Sequence, residues 1–281
     1  MNGVLVVDKP KGITSFDVVR EVRRALKLKK VGHTGTLDPM ATGVLPICVG
    51  DATKIAQFII EATKAYDATL KLGATTDTLD ADGKVLETRP VPPINAEVLE
   101  RALSKFRGTI QQVPPMYSAI KIGGKRLYEL ARAGEEVERA PREVTVFELV
   151  LRDFTADEVK LSVRSSKGFF VRSLAADLGE GLGCGAHLTA LRRTQSGPFT
   201  LAQAVPLTGI ADAKLVTMSD ALRDVPELKL SSAEAGRVRH GGLVEVAPSL
   251  TGVHRVIDPS GLLLAISEAV KGRLVYRRVL V

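Results

Sequence analysis

Cysteine is scarce in this chain. Cys48 and Cys184 are its only two and lie far apart, which excludes both a CxxC metal knuckle and a disulfide framework, and a reducing compartment, the cytoplasm, is expected. Histidine is nearly as sparse. His33, His187, His240 and His254 do not fall at ligand spacing, so neither a metal centre nor a metal cofactor is expected. The chain has no GxxxxGKS/T, no HExxH, no GxSxG and no glycine-rich run between strand and helix with a ribose-binding acid after it. Readings built on nucleotide cofactors or zinc hydrolysis therefore lose their support. The first apolar stretch, Val4 to Val7, stops at Asp8, too short for a signal-peptide core or a membrane span, so no membrane partner is expected.

What is present is ordinary in amount and basic in balance. Hydrophobic residues at 45% and charged residues at 25% supply a substantial core. The length of 281 residues suits one large domain plus a small module. Lys and Arg total 39 against 32 Asp and Glu, a net charge of +7, which favours polyanionic partners without singling one out.

Val4 to Val7 reads as a buried strand, and Thr14 with Asp17 forms a capping-box pattern ahead of Val18, Val22 and Leu26 at helical spacing. Gly32 to Gly43 reads as a loop rich in glycine and threonine around Asp38-Pro39, feeding the apolar run Val44 to Val49. Tyr66, Ala68, Leu70 and Leu72 alternate along a strand, and Asp82-Gly83 marks a turn. Val144 to Leu151 and Val159 to Val163 read as strands, Ala96 to Phe106 and Phe170 to Leu182 as helices. Strands and helices mix without βαβ alternation, so the expected class is α+β: a mixed, largely antiparallel central sheet with flanking helices. Near Asp224 to Leu230 the pattern weakens across Pro226; a short helix and several short strands follow, giving expected domains at 1–223 and 224–281.

Seven segments resemble the bacterial tRNA pseudouridine-55 synthase family: VDKPKGITS (Val7 to Ser15), VGHTGTLDPMATGVLP (Val31 to Pro46), KAYDATLKLG (Lys64 to Gly73), TTDTLDADG (Thr75 to Gly83), PPMYSAIKIGGKRLYELARAG (Pro114 to Gly134), SKGFFVRSLAADLG (Ser166 to Gly179) and HLTALRRTQSGPF (His187 to Phe199). The resemblance implies a pseudouridine synthase fold and an enzyme that converts the T-loop uridine of tRNA to pseudouridine by base flipping, without cofactor. It also implies a monomer, with the large domain on the T-arm. The C-terminal piece resembles the β-rich RNA-binding module of the pseudouridine synthase and archaeosine transglycosylase type, which would reach the acceptor-stem side.

By that resemblance Asp38 is the catalytic carboxylate, attacking C1′ or C6 or stabilising positive charge on the ribose. Taken alone, an Asp before Pro is a turn residue. Arg172 is implied as its partner, a guanidinium that favours the ionised carboxylate; its spacing alone equally suits a surface arginine on an amphipathic helix. Tyr66 is implied to stack on the uracil, where a free phenol with a pKa of about 10 is a poor base. His33 is implied to fill the gap left by the flipped base, and Leu191 to pack against that base. Lys9, Asp77, Lys121, Lys125 and Arg126 are implied as RNA contacts, the cations at phosphates. One departure stands out: the family usually carries a tyrosine before the arginine, where this chain has Phe169-Phe170-Val171-Arg172. Two other functions fit the same residues: a tRNA-binding or tRNA-folding protein, and a synthase acting on another RNA.

Overall fold

The computed structural model describes residues 1–280. The chain opens with β1 (Gly3–Lys9), α1 (Ser15–Leu26), β2 (Val31–His33), β3 (Thr42–Val49) and the short α2 (Ala56–Ile60). It continues through β4 (Lys64–Leu72), the hairpin of β5 (Ala74–Thr76) and β6 (Val85–Thr88), then α3 (Ala96–Ser104) and β7 (Gly108–Gln112). A small exposed hairpin, β8 (Lys121–Ile122) with β9 (Lys125–Arg126), leads into α4 (Leu127–Arg132). After it come β10 (Arg142–Phe154), β11 (Glu158–Ser165), α5 (Val171–Gly181), β12 (Ala186–Ser196) and β13 (Phe199–Thr200).

The main sheet has nine strands in the order β1-β3-β12-β4-β11-β10-β7, with β2 beside β3 and β13 beside β12. Every pairing in it is antiparallel except the short parallel step between β12 and β3. This is the α+β class with a largely antiparallel sheet expected from the sequence. β12, which the sequence reading did not identify, is the strand that joins the two halves.

The apolar runs at Val4–Val7 and Val44–Val49 do not alternate because both faces of β1 and β3 are buried. Leu5, Val7, Leu45 and Ile47 face a core shared with α1, α3 and α5. Val4, Val6, Val44 and Cys48 face a second core that also takes Ile257, Leu263, Ile266 and Leu280 from the C-terminal region. That region holds its own sheet of β14 (Glu227–Lys229), β15 (Gly252–Ile257), β16 (Leu263–Val270) and β17 (Arg273–Val279), with α6 (Ser232–Arg239) against it. It has a separate core around Val238, Val244, Val256 and Leu264.

α1 starts where the capping box puts it. The Thr14 hydroxyl accepts from the Asp17 amide at 3.1 Å and the Asp17 carboxylate accepts from the Thr14 amide at 2.8 Å, satisfying two otherwise orphaned donors. Its buried face is Val18, Val19 and Val22.

Where β3 meets β12, Gly43 has φ +102°, and a Cβ there would sit 2.2 Å from the Arg193 carbonyl oxygen. Only glycine permits that approach. Gly43→Ala is therefore expected to cost at least about 2 kcal/mol of stability through combined strain and backbone displacement, read as a lowered urea midpoint.

Candidate active site

Asp38 sits in the segment between β2 and β3, and this segment is stapled from below by the N-terminal motif. The Ser15 hydroxyl, at the start of α1, accepts from the Leu37 amide at 2.8 Å and donates to the Leu37 carbonyl at 3.1 Å. The Gly12 amide donates to the Pro39 carbonyl at 2.8 Å. Lys9, fully buried at the end of β1, donates its Nζ to the carbonyls of Ala41 at 2.7 Å, Pro10 at 3.0 Å and Pro39 at 3.2 Å. An ammonium has three donors and all three are used. Lys9 is therefore not placed to meet an RNA phosphate, as the sequence reading expected; it fastens the Asp38 segment to β1.

Arg172, in the first turn of α5, is buried and directs its fork at four groups. Its Nε lies 3.0 Å from Asp38 Oδ2 and its Nη1 3.6 Å from Asp80 Oδ2. Nη1 also donates to the Thr78 carbonyl at 2.9 Å, and Nη2 to the Tyr117 carbonyl at 2.7 Å. The Gln112 side chain holds the start of α5 by accepting from the Phe170 amide at 2.8 Å and donating to its carbonyl at 3.0 Å. This planar, multiply bonded arrangement requires a guanidinium; a lysine has no such fork.

Asp80 was not singled out from the sequence, although it lies within the TTDTLDADG segment. It is buried, and its carboxylate accepts from the Thr78 hydroxyl at 2.6 Å and the Asp82 amide at 3.1 Å. Asp77 serves the same turn, accepting from the Lys84 amide at 2.8 Å. An anionic turn staple is not an attractive phosphate neighbour, so its expected RNA contact finds no support in this placement. Leu79, between them, adopts a left-handed conformation with φ 63°, held by its carbonyl accepting from the Leu188 amide of β12 at 3.0 Å.

Asp38 keeps about a third of its side chain open (32%) and lines a cavity of about 340 Å³ with Tyr66, Leu191, Phe169, Phe170 and Arg172. Three of the other walls are Ser118, Ala119 and Ile120, directly before the β8–β9 hairpin. Loss of hydration pushes the Asp38 carboxyl above its ordinary pKa. Arg172 and Lys9 oppose that shift, and Asp80 adds to it. The cavity thus combines one partly open carboxylate, one fixed guanidinium and a wall of rings and aliphatic groups, which suits a planar base above a reactive carboxylate.

Four of the residues expected at the site, Asp38, Tyr66, Arg172 and Leu191, meet in this cavity. His33 ends β2, just ahead of the Asp38 segment, and does not line the cavity. Burial and the nearby positive charge of Arg193 pull its pKa below the ordinary value, so the ring is neutral near pH 7. Lys121, Lys125 and Arg126 are exposed on the hairpin beside the cavity. Among the described residues, no three of His, Cys, Asp or Glu cluster as metal ligands, and no helix is long and apolar enough to cross a membrane.

Burial lowers the Lys9 amine to about 8. Lysine in the unfolded chain holds its proton to about 10.4. Between these values the unfolded chain binds more protons, so this group's contribution to stability rises with pH across the window. The stability difference between wild type and Lys9→Met should widen from pH 8 to pH 10 in urea denaturation; a constant difference would mean that Lys9 titrates like a surface amine.

Two family models cover much of the chain: TruB family pseudouridylate synthase (N terminal domain) over residues 23–171, and tRNA pseudouridylate synthase B C-terminal domain over residues 172–228. A protein of Stutzerimonas stutzeri named tRNA pseudouridine synthase B is 46% identical across 100% of this chain and 96% of its own. A protein of the same name from Francisella tularensis subsp. novicida is 44% identical across 99% of this chain and 94% of its own. Among solved structures, a Cbf5-Nop10-Gar1 complex contains a chain that superposes with a TM-score of 0.80 at 24% identity, covering 99% of this chain and 85% of that one; it shares the fold. The segments that hold Asp38, Tyr66 and Arg172 in one cavity lie within a chain whose whole length follows these relatives, and the chain belongs to the TruB family of pseudouridylate synthases.

Proposed function

We infer that this protein is a cytoplasmic enzyme that isomerises uridine to pseudouridine in tRNA, acting on the T-loop uridine at position 55. The observation that carries the reading is the Asp38 carboxylate held 3.0 Å from Arg172 at one wall of a cavity that also presents Tyr66 and Leu191. The reaction breaks the C1′–N1 bond, turns the uracil and joins C1′ to C5; a proton leaves C5 and one is gained at N1, so no atom or electron is added overall. A carboxylate beside the ribose can carry this either by bonding covalently or by stabilising cationic character at C1′. Arg172 opposes the desolvation that would otherwise favour the protonated acid, and fixes the direction of attack. Tyr66 offers a ring for stacking and Leu191 an apolar contact on the base, with His33 a neutral ring to fill the space the base leaves.

The same reading assigns residues 1–223 to the catalytic domain and 224–281 to a small RNA-binding domain. The catalytic domain would hold the T-arm, with Lys121, Lys125 and Arg126 at phosphates, while the C-terminal module reaches toward the acceptor-stem side of a monomeric complex. Three exposed cations on a hairpin that borders the cavity favour this orientation.

Purified protein incubated with unmodified tRNA transcript should place pseudouridine at the T-loop uridine, mapped by carbodiimide labelling and reverse transcription. Tight binding without product would favour a tRNA-binding or folding role, and product at other sites or in other RNAs would reassign the substrate. Replacing Lys121, Lys125 and Arg126 by alanine should shallow the slope of log K against log salt by about 2 to 3, from roughly 0.7 to 0.9 per phosphate contact.

The acid limb of kcat/KM reports the free enzyme. Its inflection should lie above the usual carboxylate range, because burial raises Asp38. Arg172→Lys should move it higher still, since a less well aligned cation stabilises the carboxylate less. A limb at the ordinary Asp value in both proteins would remove Asp38 from the ionisation that governs the rate.

A further inference from the structure

Arg193 is among the largest fully buried side chains of the protein, and neither the sequence motifs nor the cavity lining singles it out. It lies on β12, directly between Gly43 of β3 and Tyr66 of β4 in the sheet register. From there its Nε donates to the Val44 carbonyl at 2.7 Å, Nη2 to the Gly35 carbonyl at 3.2 Å and Nη1 to the Thr36 carbonyl at 3.5 Å. Gly35 is glycine for a local reason as well: its φ is +116°, a backbone conformation that side chains with a Cβ rarely adopt.

Among the described residues no carboxylate lies within ion-pair distance of this guanidinium. Burial works against its charged form, which Tyr66 and Asp38 favour, and its own field helps to lower the pKa values of Lys9, His33 and Lys64. Tyr66 is the direct cross-strand partner of Arg193, so the two side chains leave the same face of the sheet. A buried, unpaired cation is costly, and an apolar side chain of similar volume would fill the space without that cost. Its carbonyl partners therefore matter: two of the three belong to residues just before Asp38, and the third follows Gly43 at the head of β3. A guanidinium stays charged at any working pH, so the fork is permanent.

We propose that Arg193 is a positioning residue for the reaction, tying the Gly35–Thr36 backbone to Val44 from the β12 position paired with Tyr66, so that Asp38 and Tyr66 stand in fixed relation across the cavity. Lys9 and Ser15 hold the residues flanking Asp38 from one side, and Arg193 holds the approach to it from the sheet. Tyr66 and the Asp38 segment are distant in sequence; Arg193 pairs with the first in the sheet and holds the second through its side chain. The inference rests on the synthase reading for its effect on rate, while its effect on the loop is independent of any activity.

The test uses Arg193→Lys, which keeps a cation and three donors but loses the fork, with Arg193→Met alongside. Hydrogen exchange in the Arg193→Lys protein should accelerate in peptides covering residues 34–41 and stay unchanged in those covering 227–279. Single-turnover pseudouridine formation should slow by at least about tenfold, because a small misplacement of reacting groups has large effects on rate. Binding of tRNA should stay within about threefold, as the phosphate contacts lie elsewhere. Arg193→Met should be slower again where it folds. Wild-type exchange and rate in Arg193→Lys would overturn the proposal, as would a parallel loss of binding, melting temperature and rate with faster exchange throughout the chain. Absence of product from wild type itself would instead refute the synthase reading, and the exchange result would still decide whether Arg193 holds the loop.

Discussion

The contact between Asp38 and Arg172 is the constraint around which the rest of the structure is arranged. A carboxylate in a largely dehydrated cavity drifts toward its neutral form, and a guanidinium taken out of water needs acceptors for all its donors. Each group meets the other's need only if two distant segments are held in register to a fraction of an ångström. Arg172 achieves this with two backbone carbonyls, two carboxylates and a helix start clamped by Gln112. Asp38 achieves it through a connection whose backbone is fastened by Ser15, Lys9 and Arg193.

This arrangement gives physical meaning to motifs that first appear only as recurring letters. The Lys9 to Ser15 stretch supplies no group to the cavity; it supplies an amine, an amide and a hydroxyl beneath the residues that carry Asp38. The Thr75 to Gly83 stretch builds a turn whose Thr78 carbonyl and Asp80 carboxylate face Arg172. The left-handed Leu79 within it is held in place by β12. Much of what looks like an active-site signature in the sequence is scaffolding for one ion pair.

Strands with one clear phase or continuous apolar character were legible in the sequence, as were the helix begun by Thr14 and the helix carrying Arg172. β12 was not. Its register breaks at Leu188/Ala190 and again at Arg193/Gln195, so apolar residues fall out of a period of two, and the paired arginines send one side chain to Asp8 and the other into the core. Lys9 was misplaced for a related reason: an exposed and a buried lysine are identical as letters, and only the carbonyls of Pro39 and Ala41 distinguish them. Asp38, Tyr66, Arg172 and Leu191 were identified through resemblance, since spacing alone does not bring residues so far apart in the chain into one cavity.

The function of the site depends on whether the Asp38 carboxylate performs chemistry or merely shapes the cavity. The most direct measurement compares wild type and Asp38→Asn for tRNA affinity and for single-turnover pseudouridine formation on the same transcript. The isosteric amide keeps the volume and most hydrogen-bonding capacity but cannot act as a nucleophile or an anion. Retained binding with turnover abolished is the expected result; an Asn variant that still converts its substrate at a rate near wild type would contradict the central claim.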